Sequence, residues 1–185
     1  AGPRNAPASI SSPGLKQFSE EDFERFNIPP VIIGTRGNYQ IVRNLPNQKD
    51  LFYAYSLGSC SKFVVKRFSE KELNDFAREK TIQEILRSCG EQKNVLLAEE
   101  FLSEARIVVI PYARGGDVDK MQEKIDAALA PRQAKIIVSG LCDALQYLHG
   151  LGIVHRDVKT RNIVMDIDRS ALEKNPSLRG GIALR

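Results

Sequence analysis

The sequence is poor in cysteine and has no long hydrophobic run. Its three cysteines, at positions 60, 89 and 142, are odd in number, far apart and without a spacing typical of metal sites. This usage favours reduced thiols in an intracellular, cytoplasmic protein over a secreted protein held by disulfides. The aliphatic runs are short, as in IVVI at 107–110, which excludes a membrane-spanning helix from this stretch.

Charge of one sign is not concentrated anywhere in the chain. The formal net charge is +4, and the basic residues behind this excess lie after Pro131, interspersed with acids. Nucleic-acid binding is therefore disfavoured, because it is typical of a basic block or face. Hydrophobic residues make up 42% and charged residues 27% of the 185 residues, which indicates one globular domain of ordinary size.

The two ends of the sequence lack the features of an intact gene product. No methionine and no apolar segment opens the chain, which excludes a secretory signal in these residues. The last residues, GGIALR, form an apolar stretch that stops abruptly. We therefore expect this chain to be a fragment of a longer protein.

Strand patterns dominate the sequence after a predicted flexible tail at 1–27, whose first part is rich in proline, serine, alanine and glycine. Within that tail, the segment FSEEDFERFNIPP also has the pattern of a short helix. Alternating or β-branched segments then predict strands. These are YQIVRNL at 39–45, LFYAYSL at 51–57, KFVVKRF at 62–68, NVLLA at 94–98 and ARIVVIPY at 105–112. The residues GSCS between the second and third segments predict a β-hairpin.

Helical patterns accompany and follow these strands. Ser69 and Glu72 have capping-box spacing at the start of a predicted helix at 70–88. Its apolar stripe changes face midway, which a break or a second packing partner would explain. Further helices are predicted at 117–130 and 132–152. Strands followed by helices favour an α+β fold, with a small sheet-based lobe, a helical lobe and a site between them.

One loop, GIVHRDVKTRNIVMD, carries most of the chemistry in the sequence. Asp157 is followed at short spacing by Lys159 and Asn162, an arrangement used in phosphoryl transfer. The transition state spreads negative charge over oxygens, so catalysis depends on positioning and electrostatic stabilisation. Asp157 would accept or orient a substrate hydroxyl proton, and Lys159 would neutralise phosphate charge. Asn162 offers a hard oxygen to magnesium.

From about Tyr39 onward the sequence resembles a eukaryotic-type protein kinase. The resemblance rests on HRDVKTRN as catalytic loop, YARGGDVDK as the hinge between lobes, and ALQYLHGLGIVHRD as the helix that leads into the loop. It implies a two-lobed α+β fold, with a small lobe of about five antiparallel strands and one helix. Residues 28–185 would form a partial kinase domain, with the small lobe up to about residue 113 and the start of the large lobe at 117–185. The lysine two residues after the catalytic aspartate implies Ser/Thr specificity.

The resemblance also implies a nucleotide site. Lys66 in FVVK would hold the α- and β-phosphates of ATP, and it needs a carboxylate from the helix at 70–88. We expect Glu79, because the apolar residues three and seven positions later share its face, with Glu84 as the alternative. The other implied nucleotide-binding residues are Leu45, Leu51, Val64, the gatekeeper Ile110, the hinge residues Pro111 and Ala113, Asp117 toward the ribose, and Val164.

The glycine-rich loop is where the sequence departs from the family pattern. GTRGNYQIV at 34–42 has two glycines, but that register leaves an overlong gap before Lys66. In the preferred register the loop is PNQKD at 46–50, which is short and has no glycine. Glycines let backbone N–H groups approach phosphates closely. We therefore expect weakened or reshaped nucleotide binding, with Lys49 as a partial substitute.

The motif D-F-G, which would supply a second metal-binding carboxylate, is missing. No phenylalanine follows Phe101, so we expect this motif beyond Arg185. The predicted function is that of a kinase that uses ATP and Mg²⁺ to phosphorylate Ser or Thr hydroxyls of a protein substrate. The chain itself would be an incomplete and inactive domain. The alternative is a pseudokinase, a non-catalytic interaction module, favoured by the loop without glycine and by Val64 in place of the usual alanine.

Overall fold

The computed structural model describes residues 17–90, 94–119, 131–166 and 179–183. Its helices are α1 (Glu20–Phe26), α2 (Leu73–Ser88) and α3 (Pro131–Gly150), with 3-10 turns at Glu70–Glu72 and Thr160–Asn162. Its strands are β1 (Val31–Ile33), β2 (Asn38–Asn44), β3 (Leu51–Ser56), β4 (Lys62–Arg67), β5 (Val95–Leu96), β6 (Glu100–Leu102), β7 (Ile107–Pro111), β8 (Gly116–Asp117), β9 (Ile163–Asp166) and β10 (Arg179–Ala183).

The small lobe is built on a six-stranded antiparallel sheet with the order β1-β2-β3-β4-β7-β6. Its core includes Tyr39, Phe52 and Val65, which alternate with more exposed neighbours along their strands. The hairpin predicted at GSCS joins β3 to β4. Strands β1 and β6 were not predicted, because a strand of three residues is too short to show an alternating pattern.

The sheet curls so that Glu100 on β6, at one edge, contacts the hairpin of β1 and β2 at the other edge. This buried carboxylate on β6 accepts hydrogen bonds at 2.8 Å from the backbone N–H and the hydroxyl of Thr35, and at 2.7 Å from the hydroxyl of Tyr39. Burial acts to raise the pKa of Glu100, but the hydrogen bonds from Tyr39 and Thr35 outweigh it and leave the pKa below its ordinary value. The edges of the small-lobe sheet are therefore joined through one ionised side chain.

Helix α1 packs onto this sheet. A capping box opens the helix, and Phe18, Phe23 and Phe26 pack against the core around Phe52. The predicted short helix is confirmed. The flexible tail was predicted to reach residue 27, but residues 18–26 are ordered against the sheet, because their aromatic side chains are partly buried there. The earlier part of the predicted tail lies outside the described residues.

Helix α2 connects two hydrophobic clusters. It follows the predicted capping box, which is confirmed with both hydrogen bonds present. In its first half Phe76 packs against Phe68 and Val108 of the small lobe. In its second half Leu86 packs against Val95 and against α3. The helix is continuous, so a second packing partner, and not a break, explains why its apolar stripe changes face.

A second sheet with the order β5-β10-β9-β8 underlies the large lobe. Strand β10 pairs antiparallel with β9 and parallel with β5. The strand predicted at 94–98 is therefore reduced to Val95–Leu96, and it belongs to this sheet and not to the small-lobe sheet. Helix α3 packs against this region through its predicted apolar face, in which Ala144 and Leu148 are fully buried.

Two sequence predictions concern residues outside the described part of the chain. They are the body of the helix predicted at 117–130 and most of the segment RSALEKNPSLRG at 169–180, which the sequence predicts to be a polar insertion in a hairpin. Within the described ranges, no helix is both long and apolar enough to cross a membrane. The two-lobed α+β architecture predicted from the sequence is confirmed by these elements and by the comparisons reported below.

Candidate active site

Lys66 and Glu79 form an ion pair in the small lobe. Lys66 lies near the end of β4, opposite Leu51 on β3, and its Nζ is 2.5 Å from Oε2 of Glu79 on α2. The two side chains are 18% and 7% exposed, so both charges are largely withdrawn from water. Glu84, the alternative partner, is exposed and lies 3.9 Å from Lys80. The predicted pairing of Lys66 with Glu79 is confirmed.

The predicted adenine-binding positions lie on adjacent strands. Val64 on β4 pairs with Ile110 on β7. Pro111 belongs to the neighbouring pair of the same two strands. Ala113 follows, and its carbonyl accepts a hydrogen bond from the N–H of Gly116 at 3.1 Å. The backbone between the lobes is thereby folded into a turn immediately before β8.

Asp117 and Val164 are also brought together. They are direct partners in the antiparallel pair of β8 and β9, so the segment after the hinge is joined to the strand after the catalytic loop. The N–H of Gly115 donates to the carbonyl of Met165 at 2.8 Å and extends this junction. The binding of nucleotide by Asp117 and Val164 remains a prediction.

The loop PNQKD connects β2 to β3, as the preferred register predicted. It is closed by a hydrogen bond of 2.8 Å from the N–H of Leu45 to the carbonyl of Leu51 and by one of 3.1 Å from the N–H of Gln48 to the carbonyl of Leu45. Loop residues 48–50 line a cavity of about 480 Å³ together with Lys66 and Glu79. The loop therefore borders the cavity that contains the Lys66–Glu79 pair, and its contact with the phosphate groups of a nucleotide remains a prediction.

The alternative loop GTRG has a structural role. The backbone N–H groups of Thr35 and Arg36 are directed at the Glu100 carboxylate, at 2.8 Å and 3.3 Å. Gly34 packs so closely there that a Cβ would lie 2.1 Å from Oε1 of Glu100. These donors hold a side chain of the protein itself, so this segment is not the phosphate loop.

The catalytic-loop residues form a compact hydrogen-bonded group. The carboxylate of Asp157 accepts from the Lys159 ammonium at 2.8 Å and from the Asn162 amide at 2.8 Å. These two hydrogen bonds, with that of Lys159 the stronger cause, hold the pKa of Asp157 below its ordinary value. Arg156 has a φ of 66°, in the left-handed region that non-glycine residues rarely adopt. Such strain is typical of functional loops held by their surroundings.

Asn162 is buried, with 1% of its surface exposed. Its amide nitrogen donates to both the backbone carbonyl and the carboxylate of Asp157. In the described part of the chain, its Oδ1 atom has no hydrogen-bond partner. A buried polar atom without a partner is costly unless a ligand satisfies it.

The sequence did not reveal a second ion pair beside this group. Arg161 donates from Nε to the carboxylate of Asp119 at 2.9 Å. Hydrogen bonds from the Thr160 side chain first, and from Arg161 second, lower the pKa of Asp119. The pair ties the 3-10 turn of the catalytic loop to the segment after β8. The position of Arg161 next to Asn162 could have suggested that Arg161 has a role in the site. Its partner Asp119 could not be predicted, because it is distant in the sequence.

Comparison with known protein families shows to which family this chain belongs. A family model described as the protein kinase domain matches residues 50–173, more than half of the chain. The chain belongs to the protein kinase domain family. The match begins in the loop before β3, so α1, β1 and β2 precede it.

Relatives of this chain are named as kinases, and one of them as a serine/threonine-protein kinase. Serine/threonine-protein kinase 10 of Danio rerio is 36% identical over 106 residues, which cover 57% of this chain and 11% of that protein. Ribosomal protein S6 kinase alpha-2 of Mus musculus is 28% identical over 159 residues, which cover 85% of this chain and 21% of that protein. This chain therefore spans a minor part of the length of these relatives.

Solved structures share the protein kinase fold. Rad53 in complex with AMP-PNP superimposes with a TM-score of 0.60 at 21% identity, over 78% of this chain and 37% of that chain. The PknI kinase domain of Mycobacterium tuberculosis gives a TM-score of 0.58 at 19% identity, over 79% of this chain and 59% of that chain.

Proposed function

We propose that the protein containing this chain transfers the γ-phosphoryl group of ATP to Ser or Thr hydroxyls of a protein substrate. The observation that carries this proposal is the group in which Asp157 is held between the Lys159 ammonium and the Asn162 amide, both at 2.8 Å. An ionised carboxylate in this position can accept or orient the proton of an attacking hydroxyl. The adjacent ammonium can stabilise negative charge that spreads over the transferred phosphoryl oxygens.

The small lobe supports ATP as the phosphoryl donor. The ion pair fixes the Lys66 ammonium at the edge of a cavity of about 480 Å³, where it can bind the α- and β-phosphates. A partly desolvated ammonium interacts more strongly with phosphate than one in bulk water. The structural neighbour Rad53 is complexed with the ATP analogue AMP-PNP, which agrees with ATP use by this fold.

The residues present fit a magnesium ion at Asn162. Its Oδ1 is a hard oxygen, is buried, and has no hydrogen-bond partner among the described residues. Asn162 would hold the ion, and when bound Mg²⁺ would neutralise phosphate charge. The role of the protein here is to fix this oxygen through the two hydrogen bonds that the Asn162 amide donates to Asp157.

A pseudokinase remains the second candidate, on a specific observation. The loop at 46–50 has no glycine, and its backbone is closed on itself by the bonds at Leu45 and Gln48. Val64, in place of the usual small alanine, would narrow the predicted adenine slot. A protein that keeps the fold but binds nucleotide poorly would act through interactions with other proteins.

The test separates nucleotide binding from catalysis in the full-length gene product. The first measurement is the shift in melting temperature with Mg·ATP, since a ligand of the native state raises apparent stability. The second is transfer of radiolabelled phosphate to Ser/Thr peptides by the wild type and by Asp157→Asn. The proposal expects a shift in both proteins and transfer by the wild type alone. Absence of transfer despite folded protein would favour the pseudokinase.

A further inference from the structure

Arg67 joins three segments of the small lobe that are far apart in the sequence. It is the last residue of β4, next to Lys66. Its guanidinium donates to the Asp50 carboxylate from Nη2 at 2.7 Å and from Nε at 3.2 Å. Its Nη1 donates to the backbone carbonyls of Phe26 at 2.5 Å and Asn27 at 2.7 Å. One side chain therefore contacts the loop at 46–50 and the end of helix α1.

The contact with Asp50 holds the loop at its carboxyl end. The backbone N–H of Arg67 also donates to the carbonyl of Asp50 at 2.9 Å, so main chain and side chain act on the same residue. The Arg67 and Asp50 side chains are 21% and 36% exposed, so the ion pair is only partly shielded from solvent. The residue before Asp50 is Lys49, which lines the same cavity as Lys66. Fixing Asp50 therefore restricts where Lys49 can lie.

The contact with α1 uses the negative end of a helix. The carbonyls of the last turn lack partners within the helix, and they attract a cation. Helix α1 is itself held by stacking of Phe18 on Phe26 at 5.1 Å and by an edge contact of Phe26 with Phe52 at 5.9 Å. The helix thus provides a second fixed contact for the Arg67 guanidinium, in addition to the loop.

We propose that Arg67 is a positioning residue that, supported by helix α1, holds the loop at 46–50 with Lys49 over the phosphates of the nucleotide. The proposal rests on the proposed function for the identity of the ligand. A glycine-free loop cannot wrap phosphates closely with its backbone, so a fixed side-chain cation takes over that contact. Arg67 connects the loop to a segment that precedes the matched family domain.

The test begins with amide hydrogen exchange in the absence of nucleotide. The N–H groups of Leu45 and Gln48 close the loop and report its opening. Lysine keeps the charge at position 67 but cannot donate to three acceptors in a planar fork. We expect the Leu45 and Gln48 amide hydrogens to exchange roughly tenfold faster in Arg67→Lys, because this variant loses hydrogen bonds from a charged donor. Arg36→Lys is the matched control, because Arg36 pairs with Glu99 at 3.4 Å.

A second variant tests the support from α1. Exchanging the charges in the double variant Asp50→Arg with Arg67→Asp restores an ion pair between loop and strand. It does not restore donation to the carbonyls of Phe26 and Asn27, since a carboxylate has no donor. We expect loop exchange to stay fast in this variant. Recovery of wild-type exchange would overturn the part assigned to α1.

The nucleotide arm measures the Kd and KM for Mg·ATP in the full-length protein. We expect Arg67→Lys to raise both about fivefold with kcat at saturating ATP nearly unchanged, because lost binding affects KM and not the chemical step. Unchanged loop exchange, or faster exchange with unchanged nucleotide affinity, would overturn this inference. A wild-type protein that binds no Mg·ATP would instead count against the proposed function. The two failures are thus distinguishable.

Discussion

The Nζ atom of Lys66 lies 2.5 Å from Oε2 of Glu79, and this contact joins the central sheet of the small lobe to helix α2. The next turns of the same helix carry Gln83 and Leu86 into contact with other parts of the chain. The Gln83 side-chain oxygen accepts from the N–H of Ala98 at 2.9 Å. The position of Lys66 therefore depends on the contacts that hold the second half of α2.

We predict that Glu79→Gln destabilises the protein and weakens Mg·ATP binding. Removing one partner of a buried pair leaves the other charge without compensation, at a cost of about 3 kcal/mol. The free energy of unfolding in urea measures this effect. The double variant Lys66→Met with Glu79→Leu should regain much of the stability but no nucleotide binding. Equal stability of wild type and Glu79→Gln would contradict the prediction.

We predict that Leu86→Ala lowers the free energy of unfolding by about 2–5 kcal/mol, the cost of a cavity in a packed core. Leu86 is 1% exposed and packs with Val95, Ala144 and Leu148. Ile85→Ala is the matched control on the same helix, since Ile85 is 42% exposed. Similar losses in both variants would argue against this packing of α2.

We predict that Glu100→Gln costs about 1–3 kcal/mol, because donors aimed at a charged acceptor lose part of their interaction. The donors affected are the backbone N–H and the hydroxyl of Thr35 and the hydroxyl of Tyr39. Chemical denaturation at neutral pH measures the loss. Glu99→Gln is the control, because Glu99 lies one residue earlier and is more exposed.

The same carboxylate predicts a pH dependence of stability. The pKa of Glu100 is lower in the folded protein than its ordinary value. Below about pH 4.3 the Glu100 carboxylate is therefore protonated in the unfolded chain while it stays ionised in the folded protein. The contribution of the Glu100 carboxylate to the free energy of unfolding is fully present above that pH and is lost as pH falls through the pKa of the folded protein. Acid unfolding curves of wild type and Glu100→Gln should converge in this range. Curves that remain parallel would contradict the assignment.

We predict that Asn162→Ala raises the Mg²⁺ concentration needed for stabilisation by ATP. The substitution removes the buried Oδ1 that we assign to the ion. Thermal shifts at fixed ATP and increasing Mg²⁺ measure the effect. Arg161→Ala, one residue earlier, is the control, because it should leave the Mg²⁺ requirement unchanged.

Much of the candidate site could be predicted from the sequence, because its signals are local. Asp157, Lys159 and Asn162 lie within six positions of one another, so a short loop necessarily brings them close. The helix at 70–88 was predicted from a capping box, which is a contact between residues three positions apart. The choice of Glu79 over Glu84 followed from helical periodicity, and the ion pair confirms it.

Sequence alone was enough to predict the catalytic-loop group, the hairpin of β3 and β4, and the helices α2 and α3, because each depends on residues that are close in the chain. Three relationships became visible only in the folded chain: Glu100 joins the edges of the sheet, Val95–Leu96 belongs to the second sheet, and Arg67 connects α1 to the loop. These relationships unite residues up to 87 positions apart in the case of Val95 and Ile182. No periodicity encodes such pairs, because they arise only when packed elements bring distant side chains and backbones together.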